Sequence, residues 1–238
     1  DAGPKDLNAG DWLELAQLMR ATGRKETARL ILERVREAGP GPGDAAVAAR
    51  VYAELGETAP IPALIRPLIE GATSALSCEH WLDVSYAAVA SKERGAALQA
   101  LDRARGLGPG SGEKRRMARY LQDLKEYERA LRVLDGLAVE RPGDAGLLAD
   151  RGVLKALMGR REAAVADLRA AIESDAGLLG AYVTLGGLLG SSGKGEEALR
   201  LYDRVLAEEK RFRGRPELGI VRRERERLLF EGTTGSPE

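Results

Sequence analysis

Polar and apolar residues along this 238-residue chain recur with the period of a helix rather than of a strand. In "DWLELAQLMRATG" (11–23), Trp12, Leu15, Ala16 and Met19 fall three and four apart, on one face of an α-helix. "HWLDVSYAAVAS" (80–91) repeats the arrangement with Trp81, Val84, Ser85 and Ala88. "AYVTLGGLLGSSG" (181–193) repeats it again with Tyr182, Leu185, Gly186 and Leu189. A second kind of helix follows each of these. "ETARLILERV" (26–35), "GAALQALDRA" (95–104), "ERALRVLDGL" (128–137), "EAAVADLRAA" (162–171) and "EALRLYDRVL" (197–206) each carry a small residue, a bulky one four later and an apolar one three beyond that. The small residues are Ala28, Ala97, Ala130, Ala164 and Ala198; the bulky ones are Leu32, Leu101, Leu134, Leu168 and Tyr202. From Ala97 to Ala198 the small residues keep one period of about 34 residues, and Ala28 to Ala97 spans two such periods.

The predicted unit is therefore two antiparallel helices of about a dozen residues each, joined by a turn at Gly23, Gly159 or Gly193, where glycine supplies the left-handed conformation that ends a helix. Pro40, Pro109 and Pro142 follow second helices and stop them or start the next. Six units are expected, over 9–42, 43–77, 78–110, 111–144, 145–178 and 179–212, as a single repeat domain. Gly186 sits inside an apolar pattern, where glycine costs about 1 kcal/mol relative to alanine. It shares its register with Ala16, Ser85, Ala118 and Gly152, all small, so close approach of the partner helix near Ala198 is the reason for it. Gly187 and Gly190 are read as neutral positions. The second unit departs from the pattern. It matches through Ala48, Ala49, Tyr52 and Gly56, then meets Pro60, Pro62 and Pro67, so its second helix is expected to be shortened, kinked or delayed. In the fourth unit Lys114 stands where Trp12 and Trp81 stand. After Lys210, Pro216 suits the first turn of a last helix over 215–231. Its stripe of Leu218, Val221, Leu228 and Leu229 would cap the final repeat, with a disordered tail at 233–238.

The register resembles the tetratricopeptide repeat family: a large aromatic, a leucine and a small residue, a bulky residue, then a small–bulky–apolar set and a proline within each unit. The fullest matches are 9–42 (Trp12, Leu15, Ala16, Met19, Gly23, Ala28, Leu32, Pro40) and 179–212 (Tyr182, Leu185, Gly186, Leu189, Gly193, Ala198, Tyr202). The resemblance implies an all-α, right-handed α-solenoid that serves as a protein-interaction scaffold, its concave side lined by the first helix of each pair. Carried onto this sequence, the groove positions are Leu13, Gln17, Arg20, Arg50, Leu82, Tyr86, Val89, Arg115, Arg119, Gln122 and Val153. That surface is mixed, with a cationic centre, so a peptide or protein partner of acidic character is expected. A subtype of the family holds acidic chaperone tails with lysines and asparagines. Asn8 is the only asparagine here, which disfavours that role.

Composition narrows the reading without redirecting it. Lys+Arg and Asp+Glu both number 37, which excludes a basic nucleic-acid footprint. No apolar run approaches the roughly eighteen residues of a membrane span, so direct insertion is not expected. Arginine outnumbers lysine 29 to 8, the bias of a GC-rich bacterial genome, and the chain begins at Asp1, which reads as a fragment or a processed product. Cys78 is the single cysteine and His80 the single histidine; one pair cannot fill a tetrahedral zinc site, and neither is read as catalytic. "GPGPG" (39–43) and "GPGSG" (108–112) lack a phosphate-loop lysine and read as turns between units. No cofactor is expected. Two further readings remain open: the repeat region of a larger enzyme such as a glycosyltransferase or regulated kinase, and a scaffold that assembles with itself through its C-terminal helix.

Overall fold

In the computed structural model, residues 7–71 and 76–234 are described, and all of their regular structure is helical. Among them, thirteen α-helices run in order: α1 (Ala9–Ala21), α2 (Lys25–Glu37), α3 (Pro42–Leu55), α4 (Ile61–Glu70), α5 (Cys78–Ala90), α6 (Arg94–Gly106), α7 (Ser111–Asp123), α8 (Tyr127–Glu140), α9 (Ala145–Leu157), α10 (Arg161–Ser174), α11 (Leu179–Gly190), α12 (Gly195–Ala207) and α13 (Pro216–Thr234). A short 3-10 turn, Glu209–Phe212, precedes the last. The architecture is an α-solenoid of helical repeats. Two compact units divide it, residues 1–126 and 127–238. The division falls in the turn after α7, inside the fourth sequence unit rather than at one of its borders.

In the first unit the first helices α1, α3, α5 and α7 pack each against the next, and α2, α4 and α6 pack behind them. The repeat register explains the core. Ala16, Ala28 and Leu32 are all fully buried in the first hairpin, as are Ser85 and Ala97 in the third, where the Ser85 hydroxyl donates to the Ala97 carbonyl at 3.3 Å. Gly23 and Gly56 close their turns with φ of 78° and 84°. The third and fourth turns have no glycine at that place and put Lys92 (φ 64°) and Lys125 (φ 60°) into the left-handed region instead.

The proline-bearing hairpin is irregular as its sequence requires. Helix α4 is only ten residues long and starts at Ile61, after Pro60. Pro67 lies inside it and offers no N–H to the carbonyl one turn back, which belongs to the exposed Ala63 and can meet water. The C-terminal end of α4 is finished from outside. Arg103, on α6, donates to the carbonyls of Leu68 (3.0 Å), Ile69 (2.7 Å) and Gly71 (3.4 Å). Its guanidinium also lies 4.7 Å above the ring of buried Trp81. One cation thus satisfies orphan carbonyls, complements the negative end of the helix and stacks on an aromatic face.

In the second unit, α9 and α10 form one hairpin and α11 and α12 the next, with α8 against α9 and α13 against both α11 and α12. A Cβ on Gly186 would collide with the phenol end of Tyr202 from α12, at Cζ, Cε1 and the hydroxyl. The close approach is therefore real, although its partner is the bulky residue of the second helix rather than Ala198. Gly152 meets Leu168 in the same way, its Cβ position 2.7 Å from Leu168 Cγ. Gly187 faces open space, but Gly190 does not: Leu228 of α13 lies against it, so the expected neutrality fails there. Leu218, Val221 and Leu228 join the core of Leu185, Leu189 and Tyr202, which makes α13 a cap on the last hairpin. Leu229 is not part of that stripe; it is 42% exposed. Helix α13 continues through Thr234, and the remainder of the expected tail, 235–238, lies outside the described residues.

The fifth hairpin breaks the apolar rule. Arg151 and Lys155 on α9 occupy the register of Leu185 and Leu189, and both turn toward Asp167 of α10, which is 7% exposed. Arg151 binds Asp167 through two nitrogens, at 2.8 and 2.7 Å, and Lys155 Nζ does so at 2.7 Å. Asp135 on α8 stands 3.5 Å from Arg151. Burial raises the Asp167 pKa, but the hydrogen bonds from Arg151 and Lys155 overcome it and hold the carboxyl below its usual value.

Candidate interaction face

The first helices of residues 1–126 present a row of polar side chains that bond from helix to helix. Arg50 of α3 is its centre. Its Nη1 donates to Glu54 one turn on at 2.8 Å, its Nη2 to Gln17 of α1 at 3.3 Å, and its Nε approaches Asp83 of α5 at 3.1 Å. Glu54 also meets Arg20 of α1 at 2.9 Å, a charge contact without hydrogen-bond alignment. Glu79 of α5 pairs with Arg116 of α7. Tyr86 of α5 and Tyr120 of α7 set their rings 5.9 Å apart, tilted by 43°.

Burial tunes these groups against one another. It works against the charge on Arg50, but Asp83 and Glu54 outweigh it and the guanidinium pKa rises. For Asp83 burial wins over the pull of Arg50, and the carboxyl titrates above its usual range. Glu79, more exposed, is held below the usual range by its bond to Arg116. Burial raises the pKa of Tyr120.

The expected groove residues are thereby sorted. Gln17, Arg20, Arg50 and Tyr86 belong to the row. Val89 and Gln122 are half-buried on α5 and α7, and Arg115 and Arg119 are exposed on α7. Arg119 has Asp123 one turn away; burial raises that carboxyl's pKa and Arg119 opposes the rise. Leu82 is fully buried and Leu13 is 4% exposed, so neither can touch a ligand. Helix α5 is flanked by α3, α4, α6 and α7, which leaves only a narrow strip of it open. Val153 stands on α9 in the second unit, packed on that unit's core. Sequence reasoning missed Glu54, Asp83 and Tyr120. The signal was available in the spacing: Arg50 to Asp83, Arg20 to Glu54 and Tyr86 to Tyr120 each span one period of the repeat.

Of the two residues that raised a question of chemistry, His80 has structural work. His80 caps α5: its N–H donates to Ser77 Oγ, and the Ser77 N–H donates to His80 Nδ1, both at 3.3 Å. Cys78 is half-buried, and burial, reinforced by Glu113, pushes its thiol up to about 11, the wrong direction for a nucleophile at neutral pH. Among the described residues no group of three His, Cys, Asp or Glu side chains is placed to hold a metal ion, and no helix is long and apolar enough to cross a membrane.

No protein-family model matches this sequence, and no curated protein does. Solved structures do match its fold. A tetratricopeptide repeat protein from Parabacteroides merdae superposes with a TM-score of 0.65 at 17% identity, over 95% of this chain and 86% of that one. MamA from Desulfovibrio magneticus, from residue 41 to its end, gives 0.54 at 16% identity, over 88% of this chain and 98% of that one. The Cut9–Hcn1 hetero-tetramer of the APC/C gives 0.58 at 12% identity, over 93% of this chain and 43% of the matched chain.

Proposed function

Because the chain has the tetratricopeptide-repeat fold, we propose that it is a non-catalytic interaction scaffold whose first-helix face within residues 1–126 receives a peptide or protein segment. The observation that carries this reading is the Tyr86–Tyr120 pair. Two half-buried rings stand side by side on a face whose neighbouring charges are already matched. Aromatic side chains concentrate binding energy at interfaces. Held polar groups lose little further freedom when a partner arrives. The ion pairs refine the expected ligand. Arg20, Arg50 and Arg116 are neutralised by the protein's own carboxylates, so a preference for acidic partners rests on Arg119, which stays exposed on the same helix as Tyr120. The excess of arginine over lysine, and the bacterial source of two of the similar structures, favour an assembly or envelope system of a bacterium as the setting.

A photoreactive phenylalanine at position 86 of the full chain tests the reading, with one at exposed Leu30 on α2 as control. Adducts should form at position 86 and diminish on Arg115→Glu with Arg119→Glu, with a shallower salt dependence and unchanged helical circular dichroism. Adducts at position 30 with none at 86 would refute it.

A further inference from the structure

Positions one repeat apart furnish two equivalent grooves of the second unit with opposite chemistry. Between α8 and α10, across α9, stand Asp135, Arg151, Lys155 and Asp167, interlocked as described above. One repeat later the same four places hold Arg169, Leu185, Leu189 and Leu201, which line a depression of about 280 Å³ between α10 and α12, across α11. Where the first groove is filled by charged side chains that satisfy one another, the second has an apolar floor and an opening to solvent. Leu185 and Leu189 are 2% and 3% exposed at its base, and half-buried Leu201 forms its wall. The volume is at the lower end for ligand pockets, room for one large side chain rather than for a cofactor.

The rim is charged unevenly. Arg169 is tied to Glu197 across the groove. Arg200 makes only a 3.7 Å approach to Glu196, with both side chains largely in water, and Arg204 follows one turn later on the same edge. Glu173 stands on the α10 edge. The α12 edge therefore carries two cations beside an apolar slot, which favours carboxylates next to an apolar anchor.

We propose that this groove is a second docking site, which takes a partner segment with one large apolar side chain flanked by carboxylates. It lies on different helices, and in a different unit, from the Tyr86 face, so the two readings stand or fall separately.

The probe is a fluorescein-labelled acidic pentapeptide with phenylalanine at its centre and aspartate elsewhere, titrated against the full chain at low salt and followed by anisotropy and leucine-methyl NMR. Shifts should appear at Leu185, Leu189 and Leu201. Replacing the phenylalanine by alanine should weaken binding at least tenfold, and so should Arg200→Glu with Arg204→Glu, both exposed and tolerant of change. Tyr86→Ala should leave the methyl shifts at Leu185, Leu189 and Leu201 unaltered, whatever it does to binding at the other face. Equal binding of the two peptides, or methyl shifts confined to residues 1–126, would overturn the proposal. So would concentration-dependent dimerisation abolished by Phe230→Ser, which would assign the groove to a second copy of this chain; Phe230 is 69% exposed between Glu226 and Glu231.

Discussion

Replacing Asp167 by alanine leaves Arg151 and Lys155 facing each other in the α9–α10 seam with their counter-charge gone. Their side chains are only 21% and 16% exposed, so water cannot fully take over from the lost carboxylate. Removing one partner of a buried ion pair costs about 3–5 kcal/mol. The residual exposure and Asp135, 3.5 Å from Arg151, place this case lower, at about 2–4 kcal/mol. With a urea slope near the upper end of about 1–3 kcal/mol/M for a chain of this size, the unfolding midpoint should fall by about 1 M. The counterpart is the triple variant Arg151→Leu, Lys155→Leu, Asp167→Leu, which copies Leu185, Leu189 and Leu201 of the next hairpin. Burying apolar groups in place of an ion cluster is commonly neutral or stabilising by about 1–4 kcal/mol, so the triple variant should match or exceed the parent. The two chains should also part in acid. The folded-state pKa of Asp167 is depressed, so its contribution is present above the ordinary aspartate value of 3.8 and is lost as pH falls through the lower folded-state value. That component should vanish from the triple variant. If Asp167→Ala moves the midpoint by less than a few tenths molar, or the triple variant is no more stable than the single one, the cluster is solvated and does not hold the α9–α10 seam.

Gly186→Ala should destabilise by about 1–3 kcal/mol because Tyr202 occupies the space of the new methyl, whereas Gly187→Ala, in open space one residue on, should stabilise by about 0.5–1 kcal/mol; equal urea midpoints would show that Tyr202 moves aside freely. Tyr202→Phe should be neutral or stabilising by about 1 kcal/mol at pH 7, since the buried hydroxyl lacks a hydrogen-bond partner among the described residues. Burial pushes that phenol up to about 12. Its contribution is thus intact below the free value of 10 and lost as pH climbs toward 12, and a phenylalanine variant with an unchanged alkaline transition would contradict this. Arg103→Ala should cost about 1.5–3 kcal/mol through the lost charge-assisted bonds to α4, read as faster hydrogen exchange at the end of α4; lysine should rescue it only in part, because it cannot both stack on Trp81 and fork across the carbonyls.

Helices, turns and cap were legible because each depends on a short-range rule: three-and-four spacing, left-handed glycine, proline at a helix start. The charges were harder to read. Arg151, Lys155 and Asp167 look like ordinary solvated residues of a helix surface when each is read alone. Only the register that equates them with Leu185, Leu189 and Leu201 shows that they occupy core positions. The Arg50 row has the same cause: beyond Glu54, one turn on, Arg50 meets Gln17 and Asp83, each one repeat away. Leu82 and Leu13 were misplaced for the opposite reason. A family-derived groove position assumes an open strip of fixed width, and packing on several sides of α5, for Leu82, and of α2 and α3 on α1, for Leu13, narrows it.

The bonds from Arg103 to α4 cross from the third hairpin to the second. In a linear array each element is stabilised by itself and by its nearest neighbours, so melting spreads only as far as coupling between neighbours is weak. Helix α4, ten residues with an internal proline, is the place where such an array should open first. A clamp from the neighbouring hairpin makes that opening costly, because freeing α4 also strips Trp81 of its stacked cation. The weakest hairpin thereby inherits part of the stability of the next, and residues 1–126 should unfold as one cooperative block rather than fray at the prolines.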